Sequence, residues 1–527
     1  VFLAVMVTDI VLLDIFNSLG MPTSTTVSMV FELLGASFAL ALVKLASDTT
    51  GLTFAELLNT EKALSVILGI FLSVAIAFFF GALVQYISRI IFTFNYKSKM
   101  RWKAGLFGGI AVTAIIYFML IKGVKDLSFM TAENKAFVHD HTALILGGCL
   151  VFFTVLMQIL HWCKVNVFKV VVLVGTFSLA MAFAGNDLVN FIGVPLAGYS
   201  SYQDYMSNGA GDPTGFLMGS LNGPAKTPLF FLIAAGAIMV FSLATSKKAH
   251  NVVKTSVDLS RQDTGDEVFG SSRVARSLVR WFTSVSAWVV DVTPERVRLW
   301  INSRFNQDEV QIENGAAFDL VRASINLVLA GLLIAMGTSL KLPLSTTYVT
   351  FMVAMGTSLA DRAWGRESAV FRITGVLSVV GGWFITAGAA FLIAFAIALI
   401  RYFGGVWAAI AIVVLGVGIL IRSNIVYRKK SKTEKKDTIF YDMLATKDKE
   451  QVWTLLHRHI VENRCIFLSD AIQIYGNITD LDILHKNIEQ NCIPANIIEM
   501  EHTDYDSFLN ERRRLMAQKI KSYYYSL

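Results

Sequence analysis

The sequence predicts an all-α polytopic membrane protein with two inverted-topology repeats and opposed re-entrant helical hairpins, followed by a C-terminal cytoplasmic helical tail. Three observations carry that prediction: an apolar composition, a series of apolar stretches long enough to cross a bilayer, and a short Pro-x-Ser-Thr-Thr motif that occurs twice. Of 527 residues, 54% are hydrophobic and only 16% charged, where soluble proteins carry about 25% charged residues. Such a chain is too apolar to be disordered, and its four cysteines are too few to staple a fold of this length. Cys149 and Cys163 fall in or beside apolar segments, Cys465 and Cys492 fall in the polar tail, and no pair has metal-ligand spacing. The net charge of +7 reads as topology rather than nucleic-acid binding, because basic residues collect in the cytoplasmic loops of polytopic proteins.

A helix needs about 20 apolar residues to cross the hydrocarbon core. Stretches of that kind occupy residues 63–93, 104–121, 142–161, 168–199, 228–246, 371–400 and 405–422. Two further apolar stretches, 1–44 and 321–360, each carry a Pro near the middle and read as a tilted helix, two spans or a re-entrant hairpin. Val1 already lies inside an apolar run with no basic flank or cleavage site, which argues against a signal peptide and for a missing natural N-terminus.

Orientation chooses between these readings. Lys97, Lys99, Arg101 and Lys103 place loop 94–104 in the cytoplasm, and Arg362, Arg366 and Arg372 place loop 361–372 there too. The basic run Arg428, Lys429, Lys430, Lys432, Lys435 and Lys436 puts the tail on the same side. Four spans between loop 94–104 and residue 246 return the polar segment 247–320 to the cytoplasm. Agreement then requires stretch 321–360 to make no net crossing, and stretch 1–44, treated alike, enters from the opposite face. Opposed hairpins are what an inverted repeat produces.

The sequence carries evidence of that repeat. Pro22, Thr23, Ser24, Thr25 and Thr26 align with Pro343, Leu344, Ser345, Thr346 and Thr347 at a constant offset of 321. The same offset pairs Ser18 with Ser339, Leu19 with Leu340, Gly35 with Gly356, Ser37 with Ser358 and Ala39 with Ala360. A helix break at membrane depth exposes backbone N–H groups and a positive helix end, which attract an anion. Three hydroxyls per hairpin add small neutral ligands for an oxyanion. The competing reading is that these hydroxyls only cap helices or bond the backbone at i−4.

A third constellation lies in 168–199, where Gly185, Asn186, Asp187, Asn190, Gly193 and Pro195 interrupt an apolar segment. An ionisable residue inside such a segment is costly and marks a functional site by default. Asn186 and Asn190 are i, i+4 and share a helix face, while Gly185 and Gly193 permit a break or a close approach. Carboxylate and carboxamide oxygens suit an alkali cation, or the carboxylate a proton. Beside an anion site, Asp187 argues for a coupling cation.

At these residues the sequence resembles the inorganic phosphate transporter (PiT) family, whose members carry two inverted repeats, each with a Gly-Ala-Asn-Asp-x-x-Asn type motif and a Pro-x-Ser-Thr-Thr type motif. Ala184, Gly185, Asn186, Asp187 and Asn190 match the first motif with its first two residues reversed, and Pro343 with Ser345, Thr346 and Thr347 match the second. Pro22 with Ser24, Thr25 and Thr26 supplies the other copy. The resemblance implies a secondary transporter of inorganic phosphate, coupled to sodium or protons, working by alternating access across the cytoplasmic membrane. By the same resemblance, Ser24, Thr25, Thr26, Ser345, Thr346 and Thr347 hold phosphate, and Asn186, Asp187 and Asn190 hold the cation. Relatives of this fold move sulfate, so a related oxyanion and a non-transporting anion receptor are the alternatives. No His, Cys or paired-carboxylate cluster and no nucleotide-binding loop suggest an enzyme or a primary pump. No cofactor is expected beyond the transported phosphate and sodium, and packed repeats of this kind often form homodimers.

The chain divides into 1–246, the first hairpin, spans and Asn-Asp helix; 247–320, a cytoplasmic amphipathic linker; 321–422, the second hairpin and last spans; and 423–527, the tail. Within the linker, 274–300 carries Trp281, Phe282, Trp288 and Trp300 in a pattern that suits an interfacial helix. The tail shows helical periodicity near 449–475 and 478–491 and is similar to the PhoU-like regulatory helical domain of some bacterial relatives. Lys341, at the position of Gly20 in the first copy, reads either as a positive charge added to the anion path or as a snorkelling or paired lysine. Asp9 and Asp14, in the first hairpin, are candidate cation ligands that the sequence alone does not place, and no metal is assigned to His139 and His141.

Overall fold

In a computed structural model of the chain, the structure describes residues 1–47, 51, 53–117, 131–209, 216, 218–222, 228–261, 273, 276, 277, 279, 280, 284, 293–306, 316–340, 342, 344–362 and 368–437. The regular elements among the described residues are all helical. The chain forms two units, Val1–Leu420 and Ile421–Leu527; of the second, residues 421–437 are described and are helical. The expected tail helices near 449–475 and 478–491, Cys465, Cys492, Lys341, Pro343 and most of 274–300 lie outside the described residues.

In chain order the helices are α1 (Phe2–Ser18), α2 (Thr25–Ala46), α3 (Phe54–Leu57), α4 (Thr60–Phe92), α5 (Arg101–Ile116), α6 (Ala132–Asp140) and α7 (Thr142–Trp162). There follow α8 (Val167–Asn208), α9 (Leu229–Thr245), α10 (Lys247–Ser260), α11 (Glu295–Arg304), α12 (Leu320–Ser339), α13 (Thr346–Ala360) and α14 (Ser368–Asp437). Six described helices are long and apolar enough to cross a membrane: Thr25–Ala46, Ala63–Phe92, Thr142–Trp162, Val167–Asn208, Leu320–Ser339 and Ile373–Tyr427. A seventh is reached if Leu229–Thr245 and His250–Val257, bent by 63°, count as one span. The chain is thus a multi-pass membrane protein. Its outer surface fits a lipid solvent, since Leu144, Phe230 and Trp407 are 74%, 74% and 82% exposed.

Two boundaries differ from those the hydropathy predicts. Helix α8 continues past residue 199 to Asn208 and passes through Pro195, because hydropathy marks the part of a helix that suits lipid rather than the end of its hydrogen bonding. Stretches 371–400 and 405–422 lie in one long helical run whose only non-helical backbone is Gly405, at φ 59° and ψ −146°. Glycine alone reaches such angles at little cost, so it sets the kink.

The two Pro-containing stretches fold as helix pairs, α1–α2 and α12–α13, and their local geometry repeats in register. Leu19 N donates to Ile15 O at 3.1 Å and Leu340 N to Met336 O at 3.0 Å, while Met21 N donates to Phe16 O at 3.1 Å and Leu342 N to Gly337 O at 2.9 Å. Each bond is matched at the offset of 321 read from the sequence. Gly20 turns the first break at φ 67°.

Each pair is fixed by close backbone contact with a long helix. A Cβ on Gly35 would lie 2.2 Å from Phe391 O, and one on Gly356 would lie 2.3 Å from Phe78 O. These register-matched glycines let α2 meet α14 and α13 meet α4, the small-residue packing that membrane helices use. Ala4, Ala36, Ala39, Ala394 and Ala398 continue the small-residue interface between α1, α2 and α14. Helix α10 packs across both pairs: Lys248 Nζ reaches Asp14 Oδ1 at 2.6 Å, and Leu259 joins a core with Val27, Tyr348, Phe351 and Trp383.

A buried ion network anchors the second pair. The fully buried Arg89 guanidinium reaches Asp319 Oδ2 at 2.7 Å and Asp361 Oδ2 at 2.5 Å, and lies 3.9 Å from the Phe94 ring centroid. Gln85 Nε2 adds a 2.7 Å bond to Asp361 Oδ1. Asp319 caps the start of α12 by accepting from Arg322 N, and Asp361 follows the last residue of α13. One guanidinium therefore holds both outer ends of this helix pair against α4.

Candidate functional site

The two breaks place their hydroxyls by ordinary helix-start chemistry. Ser24 and Ser345 are N-caps with extended backbone, and their hydroxyls accept from Val27 N and Tyr348 N, both at 3.2 Å. An N-cap serine satisfies one of the orphan N–H groups of the first turn. That cap sets the next residue, Thr25 or Thr346, as the first of its helix, with the side chain at the positive helix end.

Helix α8 supplies the third component. Asp187, 7% exposed, accepts from Thr25 Oγ1 at 3.1 Å on Oδ1 and from Thr346 Oγ1 at 2.9 Å on each oxygen. Thr25 and Thr346 are the register-matched pair of the repeat, so the two breaks meet on one carboxylate. Asn186 Nδ2 donates to Asp187 Oδ1 at 3.2 Å and to Thr26 Oγ1 at 3.3 Å. Asn190 Nδ2 donates to Thr26 Oγ1 at 2.8 Å and to Thr25 Oγ1 at 3.4 Å. The i, i+4 spacing that puts Asn186 and Asn190 on one face therefore aims both at the first break.

Of the residues singled out from sequence, Thr25, Thr26, Thr346, Asn186, Asp187 and Asn190 come together in one cluster. Ser24 and Ser345 hold the helix starts, and Thr347 is half-buried at the next position of α13. Gly185 and Gly193 provide neither a break nor a close approach: α8 is helical through both, and a Cβ at either would meet nothing within 4 Å. Asp14 is engaged by Lys248. His141 Nδ1 lies 3.0 Å from Phe137 O, on an exposed turn.

Side chains outside the three motifs complete the surroundings. Trp383 Nε1 donates to Pro22 O at 3.1 Å, and its ring stacks on Tyr348 with centroids 3.7 Å apart. Trp383 thus ties the first break to the first turn of α13. Thr386 meets Thr23 at 3.3 Å. The signal for Trp383 was available, since a tryptophan in mid-span needs a partner for its N–H, but nothing in the local sequence says that Pro22 provides it.

These residues offer ligands for ions of both signs. Hydroxyls and two helix N-termini suit an oxyanion, and carboxylate, carboxamide and hydroxyl oxygens suit a hard cation. Residues 1–256 match the phosphate transporter family. The matched region holds α1, α2 and the Asp187 segment of α8. The second break lies beyond it, connected to the match by the repeat and by Thr346 on Asp187. No curated protein and no solved structure matches the chain.

Proposed function

We propose that this protein is a cation-coupled secondary transporter of inorganic phosphate. It exposes the Asp187 cluster alternately to the two faces of the membrane, with α1–α2 and α12–α13 as opposed re-entrant hairpins of an inverted repeat. The observation that carries the reading is that Thr25 and Thr346, equivalent positions of the two breaks, both donate to Asp187. Thr25, Thr26, Thr346 and Thr347 with the two helix N-termini take the phosphate, positioned by the Ser24 and Ser345 caps. Asp187, Asn186 and Asn190 take the coupling ion.

Charge supports the coupling. An anionic phosphate beside an ionised Asp187 in a low-dielectric site is repelled, and a cation on the carboxylate removes that repulsion. Binding of either ion then favours the other, which is the thermodynamic content of symport. The basic loops and tail put residues 423–527 on the cytoplasmic side.

Radiolabelled phosphate uptake into proteoliposomes, with and without an inward sodium gradient, at two pH values and with sulfate as competitor, tests the reading. Sodium-dependent uptake that sulfate does not inhibit is the expected result. Uptake driven by a proton gradient alone changes the coupling ion, preferential sulfate flux changes the cargo, and phosphate binding without flux under any gradient makes the protein a receptor.

A further inference from the structure

A second polar cluster lies on the first helix pair, apart from the Asp187 cluster, and includes Asp9, a cation-ligand candidate from the sequence. Asp9 on α1 and Glu32 on α2 are 6% and 0% exposed, and their neighbours Thr8 and Ser28 are 1% and 0% exposed. Ser28 Oγ donates to Glu32 Oε1 at 2.7 Å, and the same hydroxyl lies against the Asp9 carboxylate. Asp9 Oδ1, Glu32 Oε2 and Thr8 Oγ1 are buried oxygens without a hydrogen-bond partner, and among the described residues neither carboxylate forms an ion pair.

Two carboxylates buried in a membrane helix pair without a basic partner are among the costliest arrangements available to a protein. They persist only where something neutralises them. A proton neutralises one carboxyl oxygen and supplies a single hydrogen bond to one acceptor. An alkali cation is different: it takes oxygen ligands from several sides at once, and every polar atom here is a hard oxygen. Thr25, Ser28 and Glu32 also share one face of α2 at i, i+3 and i+7. That polar stripe begins at the Asp187 cluster and reaches the carboxylate pair about 10 Å along the helix.

We propose that Asp9 and Glu32, with Ser28, form a second monovalent-cation site, joined to the Asp187 cluster by the polar face of α2, with sodium as the test ion. Its place in coupling rests on the transport reading; its capacity to bind the ion does not.

Equilibrium binding of radiolabelled sodium to purified full-length protein tests the proposal without flux. Glu32→Gln and Asp9→Asn preserve shape and remove charge, and each is expected to bind one sodium fewer per chain than the unmodified protein. Ser28→Ala, which leaves both carboxylates in place, is expected to weaken that sodium by about tenfold or more, the scale of losses when a ligand's support is removed. Undiminished sodium stoichiometry and affinity in all three variants overturns the proposal. So does a proton, released on raising pH in the unmodified protein and in Asp187→Asn but not in Glu32→Gln, that sodium does not displace. If Glu32→Gln loses the sodium while Asp187→Asn transports phosphate normally, the transport reading fails and the site stands. If Asp187→Asn abolishes uptake while Glu32→Gln keeps every sodium, the site fails and the transport reading stands.

Discussion

Ser345 and Thr346 are adjacent hydroxyl residues with different tasks, and the difference can be measured. Ser345 Oγ accepts from Tyr348 N, so Ser345→Ala removes a helix cap and is expected to cost about 1 kcal/mol of stability, read as a lower melting temperature in detergent. Thr346 Oγ1 donates to both Asp187 oxygens, so Thr346→Val is expected to lower phosphate affinity several-fold as well as cost about 1–3 kcal/mol of stability, whereas Ser345→Ala is expected to leave phosphate affinity unchanged. The reverse pattern would make Ser345 the ligand. The sequence carried both residues but not their division of labour, because capping depends on which residue starts the helix. Boundaries one residue apart exchange the roles. Glu32 was equally visible as an acid inside an apolar stretch; its partner Asp9 sits 23 positions upstream, and only the pairing of α1 with α2 joins them.

At the scale of the element, the repeat was legible because it is a pattern of local chemistry: proline, a capping serine and two threonines at a constant offset. What the offset could not convey is how each pair docks. Gly35 and Gly356 were aligned in sequence, yet their purpose shows only against Phe391 O and Phe78 O. Gly356→Ala forces a Cβ into a backbone oxygen that cannot rotate away and is expected to destabilise the protein by about 1–3 kcal/mol. Gly185→Ala, where a Cβ meets open space, is expected to leave melting temperature unchanged. Equal effects would contradict the packing described for α4 and α13. The Arg89 network was not legible at all, because its acids lie 230 and 272 positions away. Arg89→Met leaves Asp319 and Asp361 buried without their cation and is expected to cost about 3–5 kcal/mol, seen as loss of monodisperse protein on size exclusion. A variant that stays folded with an unchanged melting temperature would show that the network is dispensable.

For the whole molecule, composition and hydropathy announce a polytopic protein, and the Pro-x-Ser-Thr-Thr motif recurs at a constant offset. The meeting of both breaks on Asp187 is a long-range fact: Thr25 and Thr346 each lie about 160 positions from it, and the chain must fold before they converge. If that convergence is the transport site, coupled transport depends on the Asp187 charge. The direct measurement is sodium-gradient-driven phosphate uptake by Asp187→Asn protein, shown by size exclusion to be folded and reconstituted beside the unmodified chain. The near-isosteric amide keeps the volume but removes the charge that a coupling cation would neutralise, so gradient-driven uptake is expected to fall to the level of empty liposomes. Uptake at the unmodified rate, still dependent on the sodium gradient, would contradict the assignment of Asp187 and of the cluster built around it.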